Sequence, residues 1–176
     1  MSQWSTAFGR KLLLVLTTDD LWHSPGFLIR RCQQITTAIF LEEASAYDFS
    51  PTQYSALAFI VMQPGVDQST LGDCTALDRS SVTKCVERLE QRNFIKREIC
   101  QADRRARRLY PTTEGEAMLV DLAAAADRAR CRILAPLKPE ERDTFLSTLQ
   151  HLGDALNDQS RAPMQATSRL EDATAG

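Results

Sequence analysis

The residues with the clearest capacity for chemistry are four arginines that follow a single aspartate in DRRARR, at positions 103–108. A guanidinium group is always charged and presents its donors in a planar fork that suits phosphate. The chain has a formal charge of −2, yet the segment from Arg79 to Arg108 contains ten Lys or Arg and four Asp or Glu. A basic segment in an acidic chain predicts a surface that meets a polyanion. The alternative is an ordinary solvated run of charge.

Two short helices are predicted just before these arginines. The second, within SSVTKCVERLEQRNF, has one apolar stripe at helical spacing, formed by Val82, Cys85, Val86 and Leu89. In the first, Asp67 is the predicted cap and the inward residues are Leu71, Cys74 and Leu77. A tight corner near Asp78 joins the two helices, and the outer face of the second is polar. This arrangement predicts a helix-turn-helix.

The arginines themselves fall in a predicted hairpin. IKREIC and RRLYP alternate apolar and polar residues, which indicates strands, and QADRRA lies between them as the tip. Before the first strand, Asn93 stands where a helix end requires a residue that tolerates the left-handed conformation. A hairpin that follows the second helix directly is a wing.

The remaining periodic segments predict a helical frame around this unit. A helix is expected from Pro25 to about Ala46. Another begins with a capping box of Ser50 and Gln53 and ends at Pro64-Gly65, and its predicted inner face is Tyr54, Leu57, Ala58 and Val61. A long helix follows a cap at Thr112 or Thr113. The last helix, from Pro139, carries a coiled-coil-like seam of Phe145, Leu149, Leu152 and Leu156.

From about Phe27 to Leu156 the chain resembles MarR-type winged helix-turn-helix regulators. The resemblance is carried by LGDCTALDRSSVTKCVERLEQRNFIKR and DRRARRLYPTTEG. Asn93 and Pro111 depart from this pattern, which has Gly and Leu there. The resemblance implies an obligate homodimer whose first and last two helices intertwine. We therefore predict a mainly α fold with a small β-hairpin wing, divided into an N-terminal extension (1–24), a helical dimerisation region (25–48 and 113–157), the DNA-binding domain (49–112) and a disordered tail (158–176).

In such modules the second helix lies in the major groove of double-stranded DNA, and its first turns reach the base edges. The tip of the wing is expected in the minor groove, with Asp103 fixing the hairpin's shape by pairing with Arg97, Arg105 or Arg107. For Ser80 and Ser81, simple helix capping is the alternative role. The predicted DNA-binding residues are Gln68, Ser69, Thr70, Arg79, Ser80, Ser81, Thr83, Lys84, Arg88, Asp103, Arg104, Arg105 and Arg107.

The resemblance also implies an effector, since such regulators commonly bind small aromatic acids. SPGFLIRRCQQI and SPTQYSAL are similar to a subgroup tied to aromatic-acid catabolism. The predicted ligand is a small aromatic carboxylate or an aryl-coenzyme A thioester. Two arginines would bind its carboxylate or phosphates, and the other residues would provide hydrogen bonds and an aromatic lining. The predicted ligand-binding residues are Arg30, Arg31, Gln34, Tyr47, Tyr54 and Phe59. Core packing is the alternative for Tyr54 and Phe59, and a salt bridge for Arg31. A competing sensor is Cys32 as a redox-active thiol, although a cysteine at an apolar helix position is usually inert, buried packing.

Other function classes have weaker support. We find no nucleophile elbow, P-loop or H-E-x-x-H motif, and with two histidines no plausible zinc site, so an enzyme, a catalytic residue, a cofactor or a metal is not expected. A DNA architectural protein without an effector is the remaining alternative. The apolar run within RKLLLVLTTDDLW is too short for a signal peptide or a membrane span. The five cysteines are widely spaced, which indicates reduced thiols and not a set of disulfides. A cytoplasmic protein is expected.

Overall fold

The computed structural model describes residues 17–99 and 107–165. The chain forms two compact units, residues 1–38 and 39–176, and each is described by itself. The described part of the first unit holds α1 (Thr18–Trp22) and most of α2 (Pro25–Glu43), whose last turn belongs to the second unit. Among the described residues, no helix is both long and apolar enough to span a membrane.

The second unit contains the predicted winged helix-turn-helix. Its elements are α3 (Pro51–Met62), β1 (Val66–Asp67), α4 (Gln68–Thr75), α5 (Arg79–Gln91), β2 (Ile95–Ile99) and β3 (Arg107–Pro111). The strands form an antiparallel sheet in the order β1-β3-β2, in which Arg97 pairs with Leu109 and Val66 also pairs with Leu109. The mainly α fold with a hairpin wing is thus confirmed. The short strand β1, which completes the sheet, was not predicted from the sequence.

Side-chain caps decide where the helices of this unit begin. Ser50 and Gln53 form the predicted capping box at α3, Asp67 caps α4 and Thr112 caps the next helix. The cap of α5 is Asp78, which accepts a hydrogen bond from the amide of Ser81. A carboxylate at this position satisfies amides that have no partner within the helix. The role of helix cap, weighed for Ser80 and Ser81, belongs to Asp78.

The end of α5 follows the predicted pattern. Asn93 adopts a φ of 59°, its amide donates to the carbonyl of Glu90, and the amide of Phe94 donates to the carbonyl of Leu89. These two bonds form a Schellman motif, which satisfies carbonyls at the helix end. Phe94 is buried. The chain therefore turns sharply from α5 into β2.

The core of the second unit lies between the helices and the sheet. The stripe of α5 is buried as predicted, and α5 packs against α3, α4 and β2. The predicted inner face of α3 is wrong in part: its buried residues are Gln53, Ala56, Leu57 and Ile60, whereas Tyr54, Ala58 and Val61 are only partly covered. Because α3 is apolar on most sides, its hydrophobic period did not define a single face.

Two long helices complete the described chain: α6 (Thr113–Leu134) and α7 (Pro139–Ala155). α6 packs against α3 and β3, whereas no residue of α7 is buried. Residues 158–165 of the predicted disordered tail lie within the described residues. Asn157–Gln159 form a 3-10 turn, the side chain of Asn157 bonds both backbone atoms of Met164, and the amide of Gln165 donates to the carbonyl of Asp73 at 2.8 Å. The other residues of the predicted tail, 166–176, lie outside the described residues.

α6 begins in direct contact with the end of α5. The hydroxyl of Thr112 donates to the carbonyl of Asn93 at 2.7 Å, and the amide of Thr112 donates to the carbonyl of Phe94. Gly115 lies so close to Phe94 that an added Cβ would overlap the carbonyl oxygen of Phe94. A side chain at this position would therefore push α6 away from the end of α5.

We expect Gly115→Ala to lower the free energy of unfolding by about 2 kcal/mol or more, because relieving the overlap requires backbone movement. Urea denaturation followed by circular dichroism measures the change. Gly153→Ala is the matched control, since an added Cβ at this helical glycine meets nothing within 4 Å of it in the chain. The control is expected to be neutral or stabilising by up to about 1 kcal/mol. Equal effects of the two substitutions would contradict the close packing.

Candidate nucleic-acid interface

The start of α5 is organised around the carboxylate of Asp78. Its Oδ1 accepts from the hydroxyl of Ser80 at 2.7 Å and from the amide of Ser81 at 2.9 Å, and its Oδ2 accepts from the hydroxyl of Ser81 at 3.0 Å. The hydrogen bond from Ser80, followed by those from Ser81, lowers the pKa of Asp78 to about 2. Asp78 is therefore ionised at neutral pH and holds both serines at the helix start.

The next turn of α5 presents two cations to solvent. Arg79 and Lys84 are exposed, and neither has an ion pair or side-chain hydrogen bond among the residues that the structure describes. Between them, the hydroxyl of Thr83 donates to the carbonyl of Arg79 at 2.9 Å. A groove of about 480 Å³ runs beside this turn, lined by Gln68, Ser69, Gly72, Asp73, Leu77, Arg79, Val82 and Thr83. Four of the predicted DNA-binding residues, Gln68 and Ser69 of α4 and Arg79 and Thr83 of α5, thus line one groove.

The three residues of α4 that are predicted to contact DNA differ in their hydrogen bonds within the chain. Ser69 is exposed, and the hydroxyl of Thr70 donates to Asp67. The side-chain nitrogen of Gln68 is buried and lacks a hydrogen-bond acceptor within the described chain. A buried donor without a partner is costly unless an acceptor arrives from outside. Because this nitrogen is buried, the side chain of Gln68 would have to turn outward to make its predicted contact with DNA.

Arg88, predicted to approach DNA, is engaged within the chain. Its Nη2 lies 2.8 Å from Oδ2 of Asp48, a residue held at a φ of 52° in the turn before α3. Arg92, which the sequence reading missed, donates to the carbonyls of Tyr47 and Asp48 and lies over the rings of Phe49 and Phe94. Only the contact between distant segments of the fold reveals this role. The last two turns of α5 are thus tied to the turn before α3, while the exposed cations of its first turns have no ionic partner among the described residues.

The wing is described at its base alone. Arg107 is exposed at the start of β3, and the neighbouring Arg108 donates to the carbonyl of Gly65 at 3.0 Å. On β2, Arg97 pairs with Glu90 at 3.0 Å, so it already has a carboxylate partner besides the predicted Asp103. Asp103, Arg104 and Arg105 lie outside the described residues, and their roles remain predictions.

The predicted effector residues are distributed over the two units. In the first unit, Arg31 is exposed, while Arg30 donates to Oε1 of Gln34 at 3.2 Å and lies over the ring of Phe27. The second unit contains Tyr47, Tyr54 and Phe59, all partly buried against the core. Tyr54 packs against Phe40 with ring centroids 5.6 Å apart, and Phe59 lines a separate small cavity. Core packing therefore accounts for much of the surface of these three aromatic residues.

The cysteines differ in exposure. Cys74 and Cys85 are buried as predicted, and burial raises the pKa of Cys85 to about 11, which disfavours the reactive thiolate. Cys32 is exposed within the described chain, so the expectation that it is buried packing is wrong for the single subunit. Among the described residues, no group of three His, Cys, Asp or Glu side chains is placed to hold a metal ion.

Comparisons with known proteins agree with this architecture. Residues 47–106 match the family model described as "MarR family". The putative transcriptional regulatory protein for the hcr operon of Thauera aromatica is 32% identical over 128 residues, which cover 72% of this chain and 77% of that protein.

Two solved structures are similar in both fold and sequence. The transcriptional repressor CouR, solved bound to a 23-mer DNA duplex, aligns with a TM-score of 0.73 and 26% identity over 78% of this chain and 98% of its own. BpsR of Bordetella bronchiseptica, whose DNA binding is regulated by 6-hydroxynicotinic acid, aligns with a TM-score of 0.72 and 25% identity over 76% of this chain and 95% of its own.

Proposed function

The chain belongs to the MarR family of DNA-binding transcriptional regulators, and we propose that it is a homodimeric repressor of a pseudo-palindromic operator. In this proposal a small aromatic acid, or its coenzyme A thioester, releases the protein from DNA. The observation that carries the proposal is the solvent-facing start of α5. There Arg79 and Lys84 have no ionic partner among the described residues, and they lie beside serines that donate to Asp78. The following paragraphs give the support for each part.

DNA contact follows from the distribution of charge along α5. The first turns carry Arg79 and Lys84, which have no ionic partner among the described residues and favour a phosphate backbone or the acceptor edge of guanine. The last turns carry Arg88 and Arg92, which are held by the turn before α3. A helix whose first exposed cations are unpaired within the described chain suits insertion of its first turns into the major groove. The predicted arginines at the tip of the wing would add contacts in the minor groove.

Dimerisation is supported by the exposed apolar face of α7. The exposed fractions of Phe145, Leu149, Leu152 and Leu156 are 37%, 45%, 41% and 52%, although they form one stripe at coiled-coil spacing. A contiguous apolar stripe of this kind marks an interaction surface rather than a solvated helix face. A second copy of the chain buries such a stripe symmetrically, and a twofold dimer presents two recognition helices to a pseudo-palindrome.

Two observations support the proposed effector: the ligand of a similar protein, and the exposed guanidinium of Arg31. The similarity to BpsR, whose DNA binding responds to an aromatic acid, favours the same class of ligand here. Arg31 is exposed and has no partner among the described residues, so its guanidinium can pair with a carboxylate or a phosphate. Arg30, Gln34, Tyr47, Tyr54 and Phe59 remain predicted contacts. An effector of this kind must bind the DNA-free state more tightly than the DNA-bound state to release the operator.

Two alternatives are kept beside this proposal. The first is a thiol sensor, since Cys32 is exposed in the single subunit. An architectural protein without sequence preference would use the same charged surface, and only its response to different duplexes distinguishes it from a repressor.

The DNA-binding surface is tested with duplexes enriched from a randomised library. Replacing Lys84 by Ala is expected to cost about 1–3 kcal/mol of binding free energy and to relax the preference at one base pair, because a base-edge contact is lost. Fluorescence anisotropy titrations measure the loss. Lys138→Ala, at an exposed lysine outside the groove, is the matched control. No enrichment above bulk DNA would favour the architectural alternative and contradict a specific repressor.

Titrations over a range of salt concentrations test the wing. The Arg104→Ala, Arg105→Ala double variant is expected to weaken binding to all duplexes and to reduce the salt slope by about 2, since two phosphate neutralisations are lost. An unchanged affinity and slope would rule out contact between the wing and DNA.

The dimer is tested on its apolar seam. Leu149→Asp is expected to convert a dimer to a monomer, because a carboxylate in a packed apolar interface is strongly disfavoured. Light scattering after size-exclusion chromatography gives the mass. Gln150→Asp, the same new charge on the adjacent residue off the seam, is expected to leave the dimer intact. A monomeric wild-type chain would contradict the proposal.

Release from operator DNA tests the effector. Benzoates, hydroxycinnamates, their coenzyme A thioesters and peroxide are added in turn to the protein–DNA complex. An acid or thioester is expected to release the DNA, and Arg31→Gln is expected to raise the required concentration about tenfold through loss of a charge-assisted bond. Arg161→Gln, at another exposed arginine, is the control. Release by peroxide alone, abolished in Cys32→Ser, would support the thiol sensor instead.

A further inference from the structure

The hydroxyl groups at the start of α5 all direct their protons into the protein. Ser80 and Ser81 donate to the carboxylate of Asp78, and Thr83 donates to the carbonyl of Arg79. We propose that Ser80 and Ser81 read DNA only as hydrogen-bond acceptors, so that they select base pairs by the exocyclic amino group of cytosine or adenine, and that Asp78 is the positioning residue that sets this polarity. The inference rests on the proposed function, insertion of α5 into the major groove.

A hydroxyl group has one proton and two lone pairs, so a serine whose proton is committed can still accept. Phosphate oxygens are acceptors, and so are O6 and N7 of guanine and O4 of thymine. None of these atoms can bond to the remaining lone pairs of Ser80 or Ser81. In the major groove the amino groups of cytosine N4 and adenine N6 are the donors. Serines that already donate their proton to Asp78 can therefore accept a hydrogen bond from these two amino groups and from no other polar atom of the major groove or the DNA backbone.

Two properties of Asp78 keep the hydroxyls of Ser80 and Ser81 donating to it. An ionised carboxylate is acceptor-only, and its hydrogen bonds are stronger than those between neutral groups. The same carboxylate caps α5 through the amide of Ser81 at 2.9 Å, so a rearrangement of the serines around Asp78 would disturb the start of the helix. The lowered pKa of Asp78, about 2, agrees with a charge that is held by these bonds.

The cations at the start of α5 provide the hydrogen-bond donors that the serines do not. Arg79 and Lys84 provide the free donors of this surface, and such side chains pair with the acceptor edge of guanine. The hydroxyl of Thr83 also donates its proton within the chain, so Thr83 has only its lone pairs and its methyl group for a base. The helix start thus reads amino groups with Ser80 and Ser81, and acceptor groups with its cations.

Single-atom changes in the DNA test this inference. In a duplex enriched from a randomised library, each adenine is replaced in turn by the purine that lacks the 6-amino group, and each cytosine by the pyrimidinone that lacks the 4-amino group. We expect at least one replacement in each half-site to weaken binding of the full-length protein by about three- to tenfold, the effect of one hydrogen bond. In Ser80→Ala or Ser81→Ala, the matching replacement is expected to cause no further loss.

Asp78→Asn tests the positioning role. Asn is as good a helix cap as Asp, but its amide group can donate to a serine and so release the hydroxyl proton toward DNA. We expect a small loss of stability, because hydrogen bonds to a neutral amide are weaker than those to a carboxylate, together with a shift of base preference toward guanine or thymine at the position read by the serine. Asp67→Asn, the same substitution at the cap of α4, is the matched control and is expected to leave base preference unchanged.

The outcomes separate this inference from the proposed function. If no duplex is enriched, specific DNA binding fails and the inference falls with it. If duplexes are enriched but the wild type tolerates every amino-group deletion, the inference is overturned while the function stands. Loss of affinity in the serine variants that is equal on all sequences, and absent on a duplex with one phosphate neutralised as a methylphosphonate, would assign the serines to the backbone and also overturn it.

Discussion

The close contact between the end of α5 and the start of α6 is the constraint on which the rest of the second unit depends. Gly115 approaches the carbonyl of Phe94 too closely for any side chain, and Thr112 bonds both Asn93 and Phe94. This junction joins α5 to the long helix that leads toward the proposed dimer seam. Because Gly115 leaves no side chain between the two backbones, the position of α5 is transmitted directly to α6.

The second organising feature is the separation of paired from unpaired cations. Arg92, Arg97 and Arg108 are each held by carbonyls or carboxylates of the fold, so they stabilise the unit. Arg79 and Lys84 have no such partner among the described residues, and they stand at the start of α5. The basic segment of the sequence therefore contains two groups of cations. The paired cations stabilise the fold, and the cations without a partner among the described residues form the candidate interface.

The hydrogen bonds of Asp78 connect folding to recognition. Capping explains why Asp stands before Arg79 in this sequence, since a carboxylate satisfies the free amides of the helix start. The same carboxylate also accepts hydrogen bonds from the hydroxyls of Ser80 and Ser81. In the proposed complex, the requirement to begin a helix thus limits which base atoms the two serines can bind. One side chain would then set both local stability and base selection.

The sequence by itself determined the elements whose rules are local. The stripe of α5, the capping box at Ser50, the left-handed turn at Asn93 and the strands on either side of the wing follow from spacing and from one or two residues. Only the tertiary structure decided the buried face of α3, the role of Arg92, the third strand and the direction of the serine protons. Each of these depends on a neighbour distant in the chain or on hydrogen-bond geometry. Hydrophobic period and residue type carry no information about either.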